Sequence, residues 1–332
     1  MIDRVEIYPI EEEQPRFLAF MNREHDYLEE TPADFIDQIL PNGRPSPEMA
    51  KRGVLVFPEA QPEITFDIFN MDDPLLGGYA PEKVALRRAM VMAHDINQEV
   101  HIVRRDQAIQ AQTPVPLGVI GHDPDFKTPD VDFNLPRAKA LLDMYGYVDR
   151  DGDGVRETPD GKPLTVVYKY QSNSESNRQL AHLWAKSMAA VGIKLDAIPV
   201  QFVDLLKDKR VGKFQMAGSA WIADYPDAQN FLQLFYGPNI EQSNEARYNN
   251  PAFNKLYDQA MALPDSADRN RFYREMYRNI VANAPWRLGV HRVFNHILYP
   301  WIKGYKKHPI LFTSFKYLDV DPDMRRGATG RP

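Results

Sequence analysis

The sequence predicts an α/β fold with parallel strands, and three observations predict it. Between Leu164 and Phe235, strand-like and helix-like segments alternate with short connections, a pattern that parallel pairing through helical crossovers satisfies. The 332 residues exceed one typical domain of roughly 150, so two domains or one large core can form. Hydrophobic residues at 43% and charged residues at 26% match folded globular chains rather than disordered ones.

The same composition removes several functions. Lys and Arg number 40 against 46 Asp and Glu, a net −6. That is the wrong sign for a phosphate-backbone partner, so no nucleic acid is expected. No apolar run reaches the roughly 18 residues of a membrane span. With no cysteine there is no disulfide, thiolate nucleophile, zinc ribbon or cysteine-held iron–sulfur cluster. The first residues, Met1 to Tyr8, lack the basic and apolar regions of a signal peptide.

In order along the chain, residues 4–8 alternate as a strand does. Thr31-Pro32 then sets a cap and first-turn proline for a helix over 33–40. Residues 54–57 and 64–69 are short apolar runs bounded by Pro58 and Pro62, as strands are. Val84, Ala85, Ala89, Met92 and Ala93 recur at helical spacing over 82–93, and Asp95 is placed to cap a further helix through 104. A helix over 136–145 leads to a β-branched and aromatic strand at 164–170. Helix 176–191, ended by Gly192, strand 193–200, helix 202–209, strand 214–221 and helix 227–235 follow. Helices over 251–263 and 267–283 precede a strand over 286–298, and the polar tail 325–332 reads as frayed.

Catalytic signatures are missing. Gly161-Lys162 and Gly212-Lys213 lack the hydroxyl residue and upstream glycine of a phosphate loop, and Gly218-Ser219-Ala220 lacks the second glycine of a nucleophile elbow. His94 and His101 have no metal-protease spacing and read as packing histidines. Asp149, Asp151, Asp153, Gly154 and Asp160 imitate positions 1, 3, 5, 6 and 12 of a calcium loop. The alternative is a polar turn, because position 12 is the shorter aspartate, Pro159 precedes it, and a strand follows. Trp221 through Asp227 lies at a strand's carboxyl end, where ligands gather in open α/β sheets. There Asp224 either receives a cationic ligand group between aromatics or caps the helix that follows.

The run Trp221-Ile222-Ala223-Asp224-Tyr225-Pro226-Asp227-Ala228-Gln229-Asn230-Phe231-Leu232 resembles a signature of the extracellular solute-binding proteins of peptide- and nickel-type ABC importers. Three other stretches agree in order. They are Phe69-Asn70-Met71 with Leu86-Arg87-Arg88-Ala89-Met90; Ala138 to Leu142 with Gly146-Tyr147 and Asp151 to Arg156; and Asn244 to Asn250 with Arg271 through Pro285. The resemblance implies a type II periplasmic-binding fold, one complete lobe plus part of the other: partial lobe I over 1–68, lobe II over 69–285, and a return to lobe I over 286–332. It implies crossings near 64–71 and 284–288.

The resemblance also implies a function. In that family the carboxylate at the place of Asp224 meets a peptide α-amino group, so Asp224 is the expected ammonium anchor. Trp221 walls the cleft, Ala220 and Ile222 belong to a backbone edge that pairs with an extended peptide, and Tyr225, Asn244 and Arg247 complete the set. The implied protein is a periplasmic or extracellular, monomeric, non-enzymatic receptor. It binds a peptide or other small solute without an organic cofactor and delivers it to permease subunits. Family members also carry nickel complexes, sugars, haem and opines. The rival reading is a secreted hydrolase of glycosidase type, which requires two carboxyl groups about 5–10 Å apart, with Asp224 and Asp227 the first pair to test.

Overall fold

A computed structural model of the chain describes residues 2–172, 174–306 and 315–330. Its strands are Tyr27–Leu28 (β1), Leu55–Ala60 (β2), Glu63–Phe69 (β3), Ala108–Gln110 (β4), Thr165–Gln171 (β5), Lys194–Val200 (β6), Met216–Ile222 (β7) and Trp286–Leu298 (β8). A short pair, Ile302–Lys303 with Asp319–Val320, stands apart. The chain divides into two compact units. Unit 1 comprises Met1–Gln61, Arg104–Ala108 and Arg292–Pro332; unit 2 comprises Pro62–Val103 and Ile109–His291. The segments 64–71 and 284–288 therefore lie wholly inside unit 2, which the chain enters at Pro62 and Ile109 and leaves at Val103 and His291.

Unit 1 is organised by the outer half of β8. β1 and β2 both run antiparallel to it, in register Tyr27↔Leu298 and Leu55↔Leu298. The helix Glu13–Met21 lays Phe17 and Phe20 onto this layer, and Phe20 stacks on Tyr299 with ring centroids 4.6 Å apart. Residues 4–8 form no strand; alternation without a partner leaves Val5 and Ile7 exposed. The polar tail is not frayed either. Asp321 caps a helix Pro322–Thr329 by accepting from Met324 N–H at 3.0 Å, and Arg325 pairs with Asp26 at 3.0 Å. The last two tail residues, Arg331 and Pro332, lie outside the described residues.

Unit 2 carries the alternating segment. β5 pairs parallel with β6 (Thr165↔Lys194 to Gln171↔Val200) and with β7 (Tyr168↔Met216), as the crossover pattern requires. Helix Glu175–Ala189 links β5 to β6, and helix Phe202–Arg210 links β6 to β7. β3 then joins β7 to the inner half of β8, antiparallel to both. One face of this sheet packs Ile68, Ala217, Phe231, Phe235, Tyr273 and Trp286. The other packs Val166, Tyr168, Trp184, Met188 and Leu86. The expected helix over 227–235 is broken into a turn of helix Gln229–Leu232 and a 3₁₀ turn Gln233–Phe235.

Candidate ligand-binding site

The site grows from the edges of β7. β3 covers one edge over the whole strand, Glu63↔Ile222 to Phe69↔Met216, while β5 covers the other only at Met216 and Ala217. Asn70 N–H donates to Gln215 O, and Ala223 N–H donates to Pro62 O. Backbone groups of odd-numbered residues from 215 to 223 therefore face β3. Backbone groups alternate along a strand, so those of Gly218, Ala220 and Ile222 face the opposite way. Among the described residues no strand pairs with Ala220 or Ile222 on that side. Ala220 and Ile222 are also exposed. An unpaired edge of this kind is a template for an added strand.

Asp224 follows two residues after β7 and is exposed. It does not cap the helical turn Gln229–Leu232, whose N-cap is Ala228; Asp227 accepts from Gln229 N–H at 2.8 Å. Instead Asp224 is held by Asn230, which donates to Asp224 Oδ2 at 3.0 Å and accepts from Asp224 N–H at 3.1 Å. Trp221 Nε1 donates to the same Asn230 oxygen at 3.0 Å. The carboxylate is thus fixed through one oxygen and presented through the other. Tyr225 is exposed beside it and donates to Gln229 Oε1.

Two expected residues are not brought here. Ala246 O accepts from Met71 N–H, past the Phe69 end of β3, whereas Asp224 lies past the Glu63 end. Asn244 is fully buried, donating to Tyr236 O and Tyr248 O and accepting from Tyr248 N–H. Its amide is spent on backbone, so it has nothing to offer a ligand. Arg247 pairs with Asp72 and Glu241 at that same far end. Both are corrections: the spacing after helix 227–235 said nothing about which end of the sheet the chain had reached.

The acidic loop also differs from expectation. Asp149, Asp151 and Asp153 converge with Glu157, their ligand atoms within 4.8 Å of one another. Asp160 is not a member; it pairs with Lys162 at 2.7 Å and accepts from Thr158. Asp149 accepts from Gly152 and Gly154 N–H, Asp151 from Asp153 N–H and Asp153 from Val155 N–H. These bonds close the loop on its own amides, with the three aspartates exposed and Glu157 buried beside them.

The hydrolase constellation finds no support in the geometry. Asp227 is held by Arg269 at 2.7 and 3.1 Å and by the Tyr273 hydroxyl at 3.1 Å, so both of its oxygens are already engaged. Ser219 sits 2.9 Å from Lys209 Nζ, but Glu245 pairs with that ammonium at 2.9 Å and accepts from Ser219 at 3.0 Å.

A buried network that sequence reading missed lies beside β7. Asp67 accepts from the Tyr168 hydroxyl at 2.8 Å, Trp184 Nε1 at 3.2 Å and Arg287 Nη1 at 3.4 Å. Arg287 also pairs with Glu99, and Glu99 Oε2 lies 2.9 Å from His94 Nε2. Burial raises the Asp67 carboxyl above its ordinary range. Burial, then the Arg287 charge, lowers His94 to about 4. Its only sequence signal was a charged residue, Asp67, inside the mostly apolar run 64–69.

The fold and the presented carboxylate define a class: an α/β ligand-binding protein of the type II periplasmic-binding fold. Superposition supports this. The oligopeptide-binding protein AppA from Bacillus subtilis, solved with a nonapeptide, matches with TM-score 0.81 at 17% identity, over 94% of this chain and 59% of that one. DppA from Helicobacter pylori, solved with the peptide STSA, matches at 0.77 and 20% identity, over 94% and 56%. The family model of bacterial extracellular solute-binding proteins, family 5 (middle), matches residues 1–243, and the chain belongs to that family.

Among characterised relatives, heme-binding protein A of Haemophilus influenzae is 25% identical over 243 residues, 72% of this chain and 42% of that protein. Di/tripeptide-binding protein 2 of Pseudomonas aeruginosa is 27% identical over 239 residues, 71% and 42%. The chain thus spans less than half the length of these two relatives.

Proposed function

We propose that this chain is the ligand-binding part of a solute receptor for an ABC importer, with peptides as its ligands. Asp224 anchors the α-ammonium group, the free edge at Ala220 and Ile222 pairs with the peptide backbone, and Trp221 and Tyr225 flank the anchor. The observation that carries the reading is the presented carboxylate beside an unpaired strand edge. Backbone pairing supplies affinity without choosing side chains, and the carboxylate fixes which end enters. The receptor acts outside the cytoplasmic membrane as a monomer, without a cofactor and without catalysing a reaction, and passes its ligand to permease subunits. Relatives named for peptides support the ligand class. Among the described residues no helix is long and apolar enough to cross a membrane.

The test is titration of the purified chain with di- to pentapeptides, each in free-amino and N-acetylated form. Binding of the free-amino set about tenfold to a hundredfold tighter than the acetylated set is expected. Equal binding of both sets, or of neither, removes Asp224 as the anchor of a peptide receptor.

A further inference from the structure

We infer that β5 sets the length over which a ligand pairs: an extended peptide anchored at Asp224 bonds β7 through its first and third residues, and a fifth residue has no place on the edge. The inference rests on the peptide reading above and names its substrate class, peptides that draw on β7 through no more than four residues. Direction follows from the anchor. Asp224 lies beyond the Ile222 end of β7, so a peptide whose ammonium group sits there runs back toward Gly218, antiparallel to β7. In an antiparallel pair, residues alternately exchange both backbone bonds with the residue opposite or exchange none. Asp224 itself offers no pairing position, because its N–H is spent on Asn230. The first ligand residue therefore bonds Ile222 and the third bonds Ala220, while the second and fourth take no bond from β7.

β5 closes the other end. It bridges Lys169 to Ala217 in parallel, yet the backbone groups of Ala217 itself face β3. A parallel bridge of that kind is made through the two neighbours, with Met216 C=O and Gly218 N–H both bonded to Lys169. A fifth ligand residue would face Gly218. There the N–H it needs is already given, and the backbone of β5 stands in its place. Gly218 is accordingly half-buried, whereas Ala220 and Ile222 are exposed. The Tyr168 hydroxyl closes the same end from one face of the sheet, 3.0 Å from where a Gly218 Cβ would stand.

The open stretch therefore runs from residue 219 to residue 222. At roughly 3.3 Å per residue it is about 13 Å long, the span of an extended tetrapeptide. A longer ligand must turn off the edge after its fourth residue and draws nothing more from β7. The three amides of the row also differ before any ligand arrives: Gly218 N–H is bonded within the sheet, while those of Ala220 and Ile222 face the unpaired side.

Amide hydrogen exchange, followed by NMR on the purified chain, reads the edge residue by residue. Without ligand, Gly218 N–H is expected to exchange at least about tenfold slower than Ala220 and Ile222 N–H. Saturating tetra-alanine should slow Ala220 and Ile222 by about tenfold or more and leave Gly218 unchanged. Calorimetry with alanine peptides of two to six residues then gives the length. Affinity should rise about tenfold from two residues to three, through the two bonds to Ala220, and stay within about twofold from four to six. N-methylation of the tetrapeptide's third residue should cost the same factor of about ten, and of its second or fourth less than about twofold. A further tenfold gain at five residues, or slowing of Gly218 on binding, overturns the stop. Equal losses from methylating the second and third residues overturn the register. Either result leaves Asp224 in place if acetylating the peptide's amino group still weakens binding. If no peptide slows Ala220 or Ile222, the peptide reading itself falls and takes this inference with it.

Discussion

Asn230 grips Asp224 at two points, donating to its carboxylate at 3.0 Å and accepting from its backbone N–H at 3.1 Å. Because Asn230 is fully buried and also receives the Trp221 indole, it ties the anchor to the core. Asn230→Ala is expected to strand these donors, costing about 1–3 kcal/mol of stability. It is also expected to weaken peptide binding several-fold, read by urea unfolding and calorimetry. Asn230→Asp should be worse for binding, since a second carboxylate would face the first.

Asp224→Asn keeps the shape and removes the charge. A charge-assisted bond contributes roughly 1.5–3 kcal/mol, so free-amino peptides should lose about tenfold to a hundredfold in affinity. N-acetylated peptides, which have no ammonium to lose, should not change. A uniform loss across both sets would mean that the side chain supports the loop instead of meeting the ligand.

Arg247→Ala tests the correction made to the site. Arg247 pairs with Asp72 and Glu241 beyond the far end of β3, so peptide affinity is expected to stay within twofold. Stability should fall by no more than about 1 kcal/mol, as for a solvent-screened pair. A tenfold loss of affinity on calorimetric titration would return Arg247 to the site.

How the sequence read, and where it stopped, follows from what each signal depends on. Strand Trp286–Leu298 and helix Ala267–Asn283 were legible to the residue because periodicity and caps are local. The parallel pairing of β5 with β6 and β7 was legible because short crossovers leave little choice, whereas their spatial order β7-β5-β6 was not. Asp224 was singled out through a run of neighbours, and the structure leaves it exposed just past β7. Asn244 and Arg247 were misplaced because nothing local records which end of a sheet a loop has returned to. Asn230, six residues beyond Asp224, read as an ordinary helix residue, since its role lies wholly in a long-range side-chain pairing. Glu157 replaced Asp160 for the opposite reason: a bend in the loop brought a residue outside the expected spacing inward.

Gly121 holds the neighbouring turn against the anchor loop. Ile120 N–H donates to Pro226 O at 3.0 Å, and Ile120 O accepts from Ala228 N–H at 2.8 Å. That approach needs a glycine. At φ +91° a Cβ on residue 121 would stand 2.6 Å from Ala228 Cβ and 2.8 Å from the Tyr273 ring. Gly121→Ala is expected to cost more than about 2 kcal/mol, from strain and overpacking together. It should also lower peptide affinity, because the displaced segment runs from Pro226 into the Asp224 loop.

Acid should unfold this chain through two histidines. Burial lowers both His94 and His291 to about 4, below the ordinary value near 6.5. Each is neutral when folded and takes up a proton when unfolded. The stability they hold is complete above about pH 6.5 and is lost as pH falls toward 4, about 2 kcal/mol for each histidine between pH 7 and pH 5. Asp67 works with the opposite sign: its raised carboxyl favours the folded state at low pH and gives that up as pH rises. It cannot cancel the histidines, because the unfolded carboxyl releases its proton only near pH 4. Urea midpoints at pH 7 and pH 5 should therefore differ clearly in the native chain. The difference should shrink by about half in His291→Gln, whose Nδ1 contact to Glu63 O at 2.7 Å an amide can imitate. Equal midpoints at the two pH values would mean that neither imidazole is kept neutral by the fold.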